Sequence, residues 1–358
     1  MIKFRIKKII LKYLFFLILF QFLFIYPTYS KELVVSFIDI NQGDSVLIQL
    51  PNNQNILIDG GDKEYSKYLE KFLKDRKIKQ IDIMIITHPH IDHYGGLLNI
   101  AKKFEIKHVL DSGAKTNAIT YLELLKILNS KKVKFSIARR GDKFSFENNL
   151  SLEILSPKEP LLKNTRSDIN NSSIVAKLRY NNVSFLFTGD IENEIEEQLL
   201  RDNINISSDI LKIAHHGSRH SSSEEFLKKV NPSIAIISCG LNNSYGHPHK
   251  QLLNRLNRLK IQYYRTDLNG DIIITSDGYK YYVSFSKNDT KYYQEEQSKI
   301  LNINTASLEE LISLPGIGKK TAKNIINNRP YYHINDLLKV KGINKNKLEI
   351  LSKLVTVE

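Results

Sequence analysis

Three histidines and one carboxylate crowd into the six residues His88-Pro89-His90-Ile91-Asp92-His93, directly after the apolar run Ile81–Thr87. Imidazole nitrogen together with carboxylate oxygen suits Zn²⁺ or Mn²⁺, and one short loop lets such donors converge on a small volume. Solvated surface loops rarely concentrate histidine in this way. Two more segments end in the same donor types: Phe185-Leu-Phe-Thr-Gly-Asp190 and Leu211-Lys-Ile-Ala-His215-His216. Taken singly, a strand-end Asp or His is as readily a turn residue.

The elements that must carry these residues alternate. Leu33–Ile40, Ser45–Leu50 and Asn55–Asp59 are β-branched runs broken by Gly or Pro-Asn turns. Tyr65, Tyr68, Leu69, Phe72 and Leu73 repeat at helical spacing. Ile81–Thr87 reads as a strand buried on both faces. Helices are expected at 95–104 and 117–131, then strands through Phe135, Leu152, Ile174 and Phe185. An acidic helix follows at 191–202, with strands ending at Ala214 and Ser238. A helix after Pro248 and the strands Tyr263–Thr266 and Asp271–Thr275 close the set. Strands followed by helices, twice over, predict an α/β fold of two packed sheets with helices outside.

The chain has 358 residues, 42% of them hydrophobic and 25% charged, which gives room for two domains and argues against disorder. Its net charge of +14 is unevenly spread. Residues 1–30 carry five positive charges (Lys3, Arg5, Lys7, Lys8, Lys12) and no acid. An apolar run, Tyr13–Tyr26, follows, with Thr28 and Ser30 offering a small-residue cleavage site. This segment reads as a signal peptide or an N-terminal membrane anchor, and in either case the rest is exported. A lone Cys239 permits no intramolecular disulfide and reads as a small core residue. Nothing calls for a small-molecule cofactor. Residues 31–285 form the first domain, the polar stretch 286–299 is a linker, and 300–358 is a helical domain without strand candidates. This tail holds ten Lys/Arg against five Asp/Glu over 297–358, a balance suited to a phosphate backbone.

The H-x-H-x-D-H pattern after an apolar strand resembles the signature of the metallo-β-lactamase superfamily. That resemblance implies a four-layer αββα sandwich in which His88 and His90 serve one cation and Asp92 with His93 the second. Asp190 would bridge the two, and the strand end at His215 and His216 would supply the last ligand. Asp59, in Ile-Leu-Ile-Asp59-Gly-Gly, would brace the ligand loop. The occurrence of these segments in the family's order weighs against the turn-residue alternative. Asp39-Ile-Asn-Gln-Gly-Asp44-Ser, Asn171-Ser-Ser173, His215-His216-Gly-Ser and Asn243-Ser-Tyr-Gly-His247-Pro are similar to the soluble domain of the ComEC/Rec2 competence proteins. The resemblance covers about 33–285 and departs from the group at two points. The membrane channel is replaced by a single N-terminal segment, and His90 stands where many relatives carry Asp. Asn171 occupies the place of the superfamily's third histidine, and His108, inside an apolar run, reads as core. Ser221 and Ser222 before Glu224 and Glu225 read as a capping box. His247 and His249, flanking Pro248, either contact substrate phosphate or serve the turn.

The last sixty residues resemble the double helix-hairpin-helix of the ComEA group of DNA receptors. The matching segments are Leu301–Ser307, Leu314-Pro-Gly316-Ile-Gly318-Lys319-Lys320 and Val340-Lys-Gly342-Ile-Asn344. Such a hairpin opens backbone N–H groups toward a phosphate without base contact, assisted by Lys319 and Lys320. Asn344 replaces a glycine and is expected to take the left-handed conformation that Asn tolerates. The combined expectation is an exported hydrolase with one or two divalent cations, Asp92 and Asp190 being the catalytic carboxylates. Its substrate would be a DNA phosphodiester, in uptake or degradation of external DNA. The rivals are a non-catalytic DNA-binding accessory and a lactam or lactone hydrolase.

Overall fold

A computed structural model describes residues 32–287, 301–314, 316–352 and 355–357. The targeting segment expected over 1–30, nearly all of the 286–299 linker, and Pro315 lie outside the described residues. The chain divides into two compact units, the second formed by Lys280–Val283 and the residues from Thr290 onward.

The first unit lays down β1 (Leu33–Phe37), β2 (Val46–Gln49), β3 (Asn55–Ile58), β4 (Gln80–Ile86), β5 (Glu105–Asp111) and β6 (Lys134–Ile137). The chain then crosses to a second sheet of β7 (Lys143–Phe146), β8 (Leu150–Ser156), β9 (Val175–Tyr180), β10 (Val183–Phe187), β11 (Ile210–Lys212), β12 (Ile234–Ile237) and β13 (Gln262–Arg265). It returns with β14 (Ile272–Ser276) and β15 (Tyr281–Phe285) to complete an eight-stranded sheet of order β15-β14-β1-β2-β3-β4-β5-β6. The seven-stranded sheet runs β13-β12-β11-β10-β9-β8-β7. The two sheets are built alike. Pairings β1/β2 and β2/β3 are antiparallel and β3 to β6 run parallel. Likewise β7 to β10 pair antiparallel and β10 to β13 run parallel.

Apolar residues three and four apart, such as Leu69, Phe72 and Leu73, give each helix one buried stripe. Helices Ser66–Asp75, Leu97–Lys103 and Ile119–Ser130 pack that stripe on Leu57, Met84 and Val109 of the first sheet. Asn193–Arg201, Glu224–Val230 and Lys250–Arg258 do the same on Leu186, Leu211 and Ala235 of the second. Between the sheets, the rings of Phe37 (β1) and Phe187 (β10) lie 6.1 Å apart. The architecture is the αββα sandwich expected.

Three local expectations need correction. The helix expected at 95–104 runs Leu97–Lys103, but a further short helix that the pattern did not predict, Ile91–Tyr94, precedes it across Gly95-Gly96. A Cβ on Gly96 would stand 2.0 Å from the Gly60 carbonyl oxygen, so close packing demands glycine there. The cap of Glu224–Val230 is Ser223, accepting from Phe226 N, so Ser221 and Ser222 form no capping box. They serve elsewhere: Ser221 donates to Ile191 O, and Ser222 and Ser223 N donate to the buried Glu196 carboxylate. In the second unit, expected to be wholly helical, Leu301–Asn302 and Val355–Thr356 form a two-stranded parallel ladder. Among the described residues no helix is long and apolar enough to cross a membrane.

Candidate metal centre

The donors gather at the C-terminal ends of parallel strands in both sheets, where diverging connections leave a crevice in α/β folds. Asp59 follows β3, the His88–His93 loop follows β4, Asp190 follows β10, and His215-His216 follows β11. Oδ2 of Asp190 stands 3.9 Å from His88 Nε2, 3.3 Å from His93 Nε2, 3.9 Å from His215 Nε2 and 3.4 Å from His216 Nε2. His216 Nε2 is also 3.4 Å from Asp92 Oδ2. His88, His93 and Asp190 form one group of three converging donors; Asp92, His93 and His216 form another. His90 enters neither group. Its Nδ1 lies 3.0 Å from His88 Nε2, and it lines the cleft beside the cluster.

Buried polar atoms facing the cluster lack hydrogen-bond partners: His93 Nε2, His216 Nε2 and Asp190 Oδ1. Each orphan costs about 1–3 kcal/mol, and a cation satisfies nitrogen and oxygen lone pairs together. The donor set therefore fits one or two divalent cations. Backbone conformation concurs. His215 (φ 51°, ψ 47°) and His216 (φ 53°, ψ 19°) are consecutive non-glycine residues in the left-handed region, at about 1–2 kcal/mol each. Such strain persists where surroundings over-determine a site.

Asp59 aims His93, and the Ser238 carbonyl with Asp44 beside it aims His216. Asp59 (φ 56°) accepts Thr87 N–H at 2.8 Å and Thr87 Oγ1–H at 2.6 Å, and holds His93 Nδ1 at 2.9 Å. The Ser238 carbonyl accepts from His216 Nδ1 at 3.1 Å, Asp44 lies 3.3 Å from the same nitrogen, and Asp44 pairs with the buried Lys212 ammonium at 2.7 Å. Fixing Nδ1 turns Nε2 toward the centre, the usual support of a metal-bound histidine. Burial would lower both imidazoles, but Asp190, with Asp59 for His93 and Asp44 for His216, outweighs it and raises both well above the ordinary value. Burial and the neighbouring His93 push His88 well below it. Ser173 joins two ligand loops, its Oγ 3.2 Å from His88 Nδ1 and accepting from Asp190 N at 3.1 Å.

Asn171 is turned to another task. Its Oδ1 accepts from Glu192 N at 2.9 Å and its Nδ2 donates to Glu194 at 3.2 Å. It thus supports Glu192, whose Oε1 is 3.3 Å from His215 Nδ1. His108 packs in β5 against Ser136 and Phe144, away from the donors. Cys239 is buried and its thiol pushed up to about 12 by burial, then by Asp267. The cleft above the cluster measures about 280 Å³ and is lined by Gln42, His90, Ile91, Asp92, Asp190, His215, His216, Tyr245 and His247. Burial, then His216 and His215, depress His247 to about 3, so it stays neutral. His249 caps Lys250–Arg258 by position, and its Nδ1 accepts from Arg219 N, a turn role.

Residues 38–241 match the Metallo-beta-lactamase superfamily. The chain belongs to that superfamily. Residues 296–356 match the helix-hairpin-helix motif. Among curated proteins, ComE operon protein 3 of Bacillus subtilis is 36% identical over 267 residues, covering 70% of this chain and 34% of the relative. Competence protein ComA of Neisseria gonorrhoeae is 28% identical, covering 67% and 32%. Recombination protein 2 of Haemophilus influenzae is 29% identical, covering 66% and 28%. The chain therefore spans about a third of the length of these relatives.

Four side chains of the metallo-beta-lactamase unit carry more than the sequence reading assigned: Asp44, Lys212, Ser173 and Glu192. Lys212 left a signal, since a lysine inside Ile210-Leu-Lys-Ile-Ala214 must find a buried partner.

The helix-hairpin-helix unit repeats itself as expected. Ile317 N donates to Leu314 O and Ile343 N to Val340 O, both at 3.1 Å. Gly318 and Asn344 occupy equivalent places before Lys319–Asn327 and Lys345–Leu351. Asn344 is not left-handed: φ is −114°, and its side chain caps Lys347 N at 2.9 Å. The left-handed positions are Gly316 (φ 73°) and Gly342 (φ 108°). Gly318, Lys319 and Lys320 are exposed.

Proposed function

We propose that this chain is a metal-dependent phosphodiesterase acting on DNA. The observation that carries it is the clustering of four imidazole Nε2 atoms within 3.9 Å of one Asp190 oxygen. That cluster shares a chain with a basic helix-hairpin-helix unit. Divalent cations bound there supply Lewis acidity to a phosphodiester. His88, His93, Asp190, Asp92, His216 and His215 hold them, with His90 beside the cluster. Asp190 spans the two donor groups, while Asp59 for His93, and the Ser238 carbonyl with Asp44 for His216, keep the Nε2 atoms facing inward. Gly316, Gly318, Lys319, Lys320 and Gly342 hold the sugar-phosphate backbone without reading bases. The competence relatives support a role in handling DNA at the cell envelope, with residues 1–30 directing export and 286–299 joining the two activities.

The test is the full chain with plasmid, linear duplex and single-stranded DNA under Mn²⁺, Zn²⁺, Mg²⁺ or EDTA. Cleavage with a transition metal and none with EDTA is expected. One observation favours a second reading, a DNA-binding accessory without turnover: Asn171, at the sequence position where the family resemblance leads one to expect a third histidine, is bonded to Glu192 N. DNA retarded on a gel yet intact with every cation would establish it.

A further inference from the structure

The rim of the metal cleft carries an aromatic ring held ready for contact. Gly240–His249 links β12 to helix Lys250–Arg258, and Asn243 staples its turn. Asn243 Oδ1 accepts from Tyr245 N at 3.2 Å and His247 N at 3.0 Å. Its Nδ2 donates to Gly240 O at 2.8 Å and His247 O at 2.6 Å. Four bonds to one side chain fix the backbone on both sides of Tyr245. The Tyr245 ring then lies on the His247 imidazole, 5.7 Å between centroids and 18° from parallel. His247 is buried, while Tyr245 is 63% exposed. One ring face is backed and the ring remains largely open to solvent at the cleft mouth. Gln42 also lines the cleft: its Oε1 accepts from Gly240 N, at the start of the same loop, at 3.3 Å, and its Nε2 is buried with no partner.

An aromatic ring backed by a neighbour and open at the mouth suits a planar, apolar-faced ligand. In a phosphodiester substrate the group of that kind next to the phosphate is the nucleobase. A base inside a duplex is already stacked on both sides, so only an unpaired strand or a frayed end can offer one. We propose that Tyr245 is a stacking platform for the base adjoining the reacting phosphate, and that it selects single-stranded nucleic acid. The unpaired Gln42 Nε2 then donates to a phosphate oxygen. This rests on the phosphodiesterase reading and adds the substrate class to it.

The probes are a single-stranded tetranucleotide, the same strand with abasic residues, and a duplex, each with the full chain and Mn²⁺. The ratio of kcat/KM for base-bearing over abasic strand should fall by roughly tenfold to a hundredfold in Tyr245→Ala. Tyr245→Trp should restore it, an outcome no merely structural role for the loop predicts. An unchanged ratio in Tyr245→Ala, or a duplex interior cut as fast as the single strand, overturns the proposal. A tetranucleotide carrying 2-aminopurine separates it from the parent reading. Fluorescence quenched by the wild type and not by Tyr245→Ala upholds the stacking site even if no strand is cut. No quenching by the wild type overturns it.

Discussion

Lys212 Nζ lies 2.7 Å from Asp44 Oδ2, with both side chains almost wholly withdrawn from water. The pair sits behind the metal cluster, because the second oxygen of Asp44 faces His216 Nδ1 at 3.3 Å. Burial alone would raise the Asp44 pKa, yet Lys212 and then His216 bring it below the ordinary value. Asp44 therefore stays ionised beside His216, whose Nδ1 also meets the Ser238 carbonyl at 3.1 Å.

Removing one member of this pair strands a buried charge, at about 3–5 kcal/mol. Lys212→Met should lower the urea midpoint by that equivalent. Adding Asp44→Asn removes the second charge and should recover most of the stability. If Asp44 orients His216, the double variant will fold yet bind metal roughly 10-fold to 100-fold more weakly, as lost outer support does. Full metal content in the folded double variant would reduce the pair to a structural role.

Metal should stabilise the first unit by mass action, about 4 kcal/mol at a thousandfold excess over Kd. Calorimetry with and without EDTA should show a higher melting temperature for the metal-loaded protein. Plasma emission should find one to two transition-metal ions per chain. His88→Ala combined with Asp92→Ala takes a donor from both the His88/His93/Asp190 and the Asp92/His93/His216 groups and should abolish the EDTA-sensitive shift. A shift that survives would move the centre elsewhere.

The two glycines of the first hairpin should respond differently. Gly316, at φ 73°, needs the left-handed region, so Gly316→Val should destabilise the second unit by more than 1 kcal/mol. Gly318 has φ −85°, and a Cβ there meets nothing within 4 Å. Gly318→Ala should leave the melting temperature within a degree or two while lowering DNA affinity, because the methyl group stands where phosphate would approach. Lys319→Ala with Lys320→Ala should weaken all sequences alike and flatten the salt dependence by roughly one to two units of slope. Equal melting temperatures for the Gly316 and Gly318 variants would contradict the hairpin geometry.

Glu70 gives the first unit an acid-sensitive contact. Lys103 and Lys74 donate to its carboxylate at 2.6 and 2.7 Å, and Asn99 adds a third bond at 2.9 Å. Together they hold it at about 2 against an ordinary 4.5. A lowered folded-state pKa contributes stability above 4.5 that is lost as pH falls toward 2. The advantage of wild type over Glu70→Gln in urea unfolding should be constant from pH 7 to 5 and shrink below 4.5. An advantage that is flat down to pH 3 would show the contact to be neutral.

What the sequence by itself determined was where donor residues cluster along the chain and which runs alternate as strands and helices. His88, His90, Asp92 and His93 were legible because six consecutive residues on a strand-end loop cannot avoid one another. Asp190 and His215-His216 were legible as strand ends, and the two-sheet architecture as a rhythm of buried runs and amphipathic helices. Tertiary structure decided which ends meet. Strands β4, β10 and β11 lie in two sheets, and only face-to-face packing brings Asp190 among four imidazoles. His215 and His216 were alternatives in sequence; consecutive left-handed residues turn both toward Asp190. Lys212 and Asp44 find each other only across the sandwich, where an isolated charge would be prohibitive and a paired one is tolerated. Asn344 shows the same limit in a single turn. Its residue type permits both a left-handed turn and a helix cap, and the bond to Lys347 N selected the cap because the following helix needed its first amides satisfied.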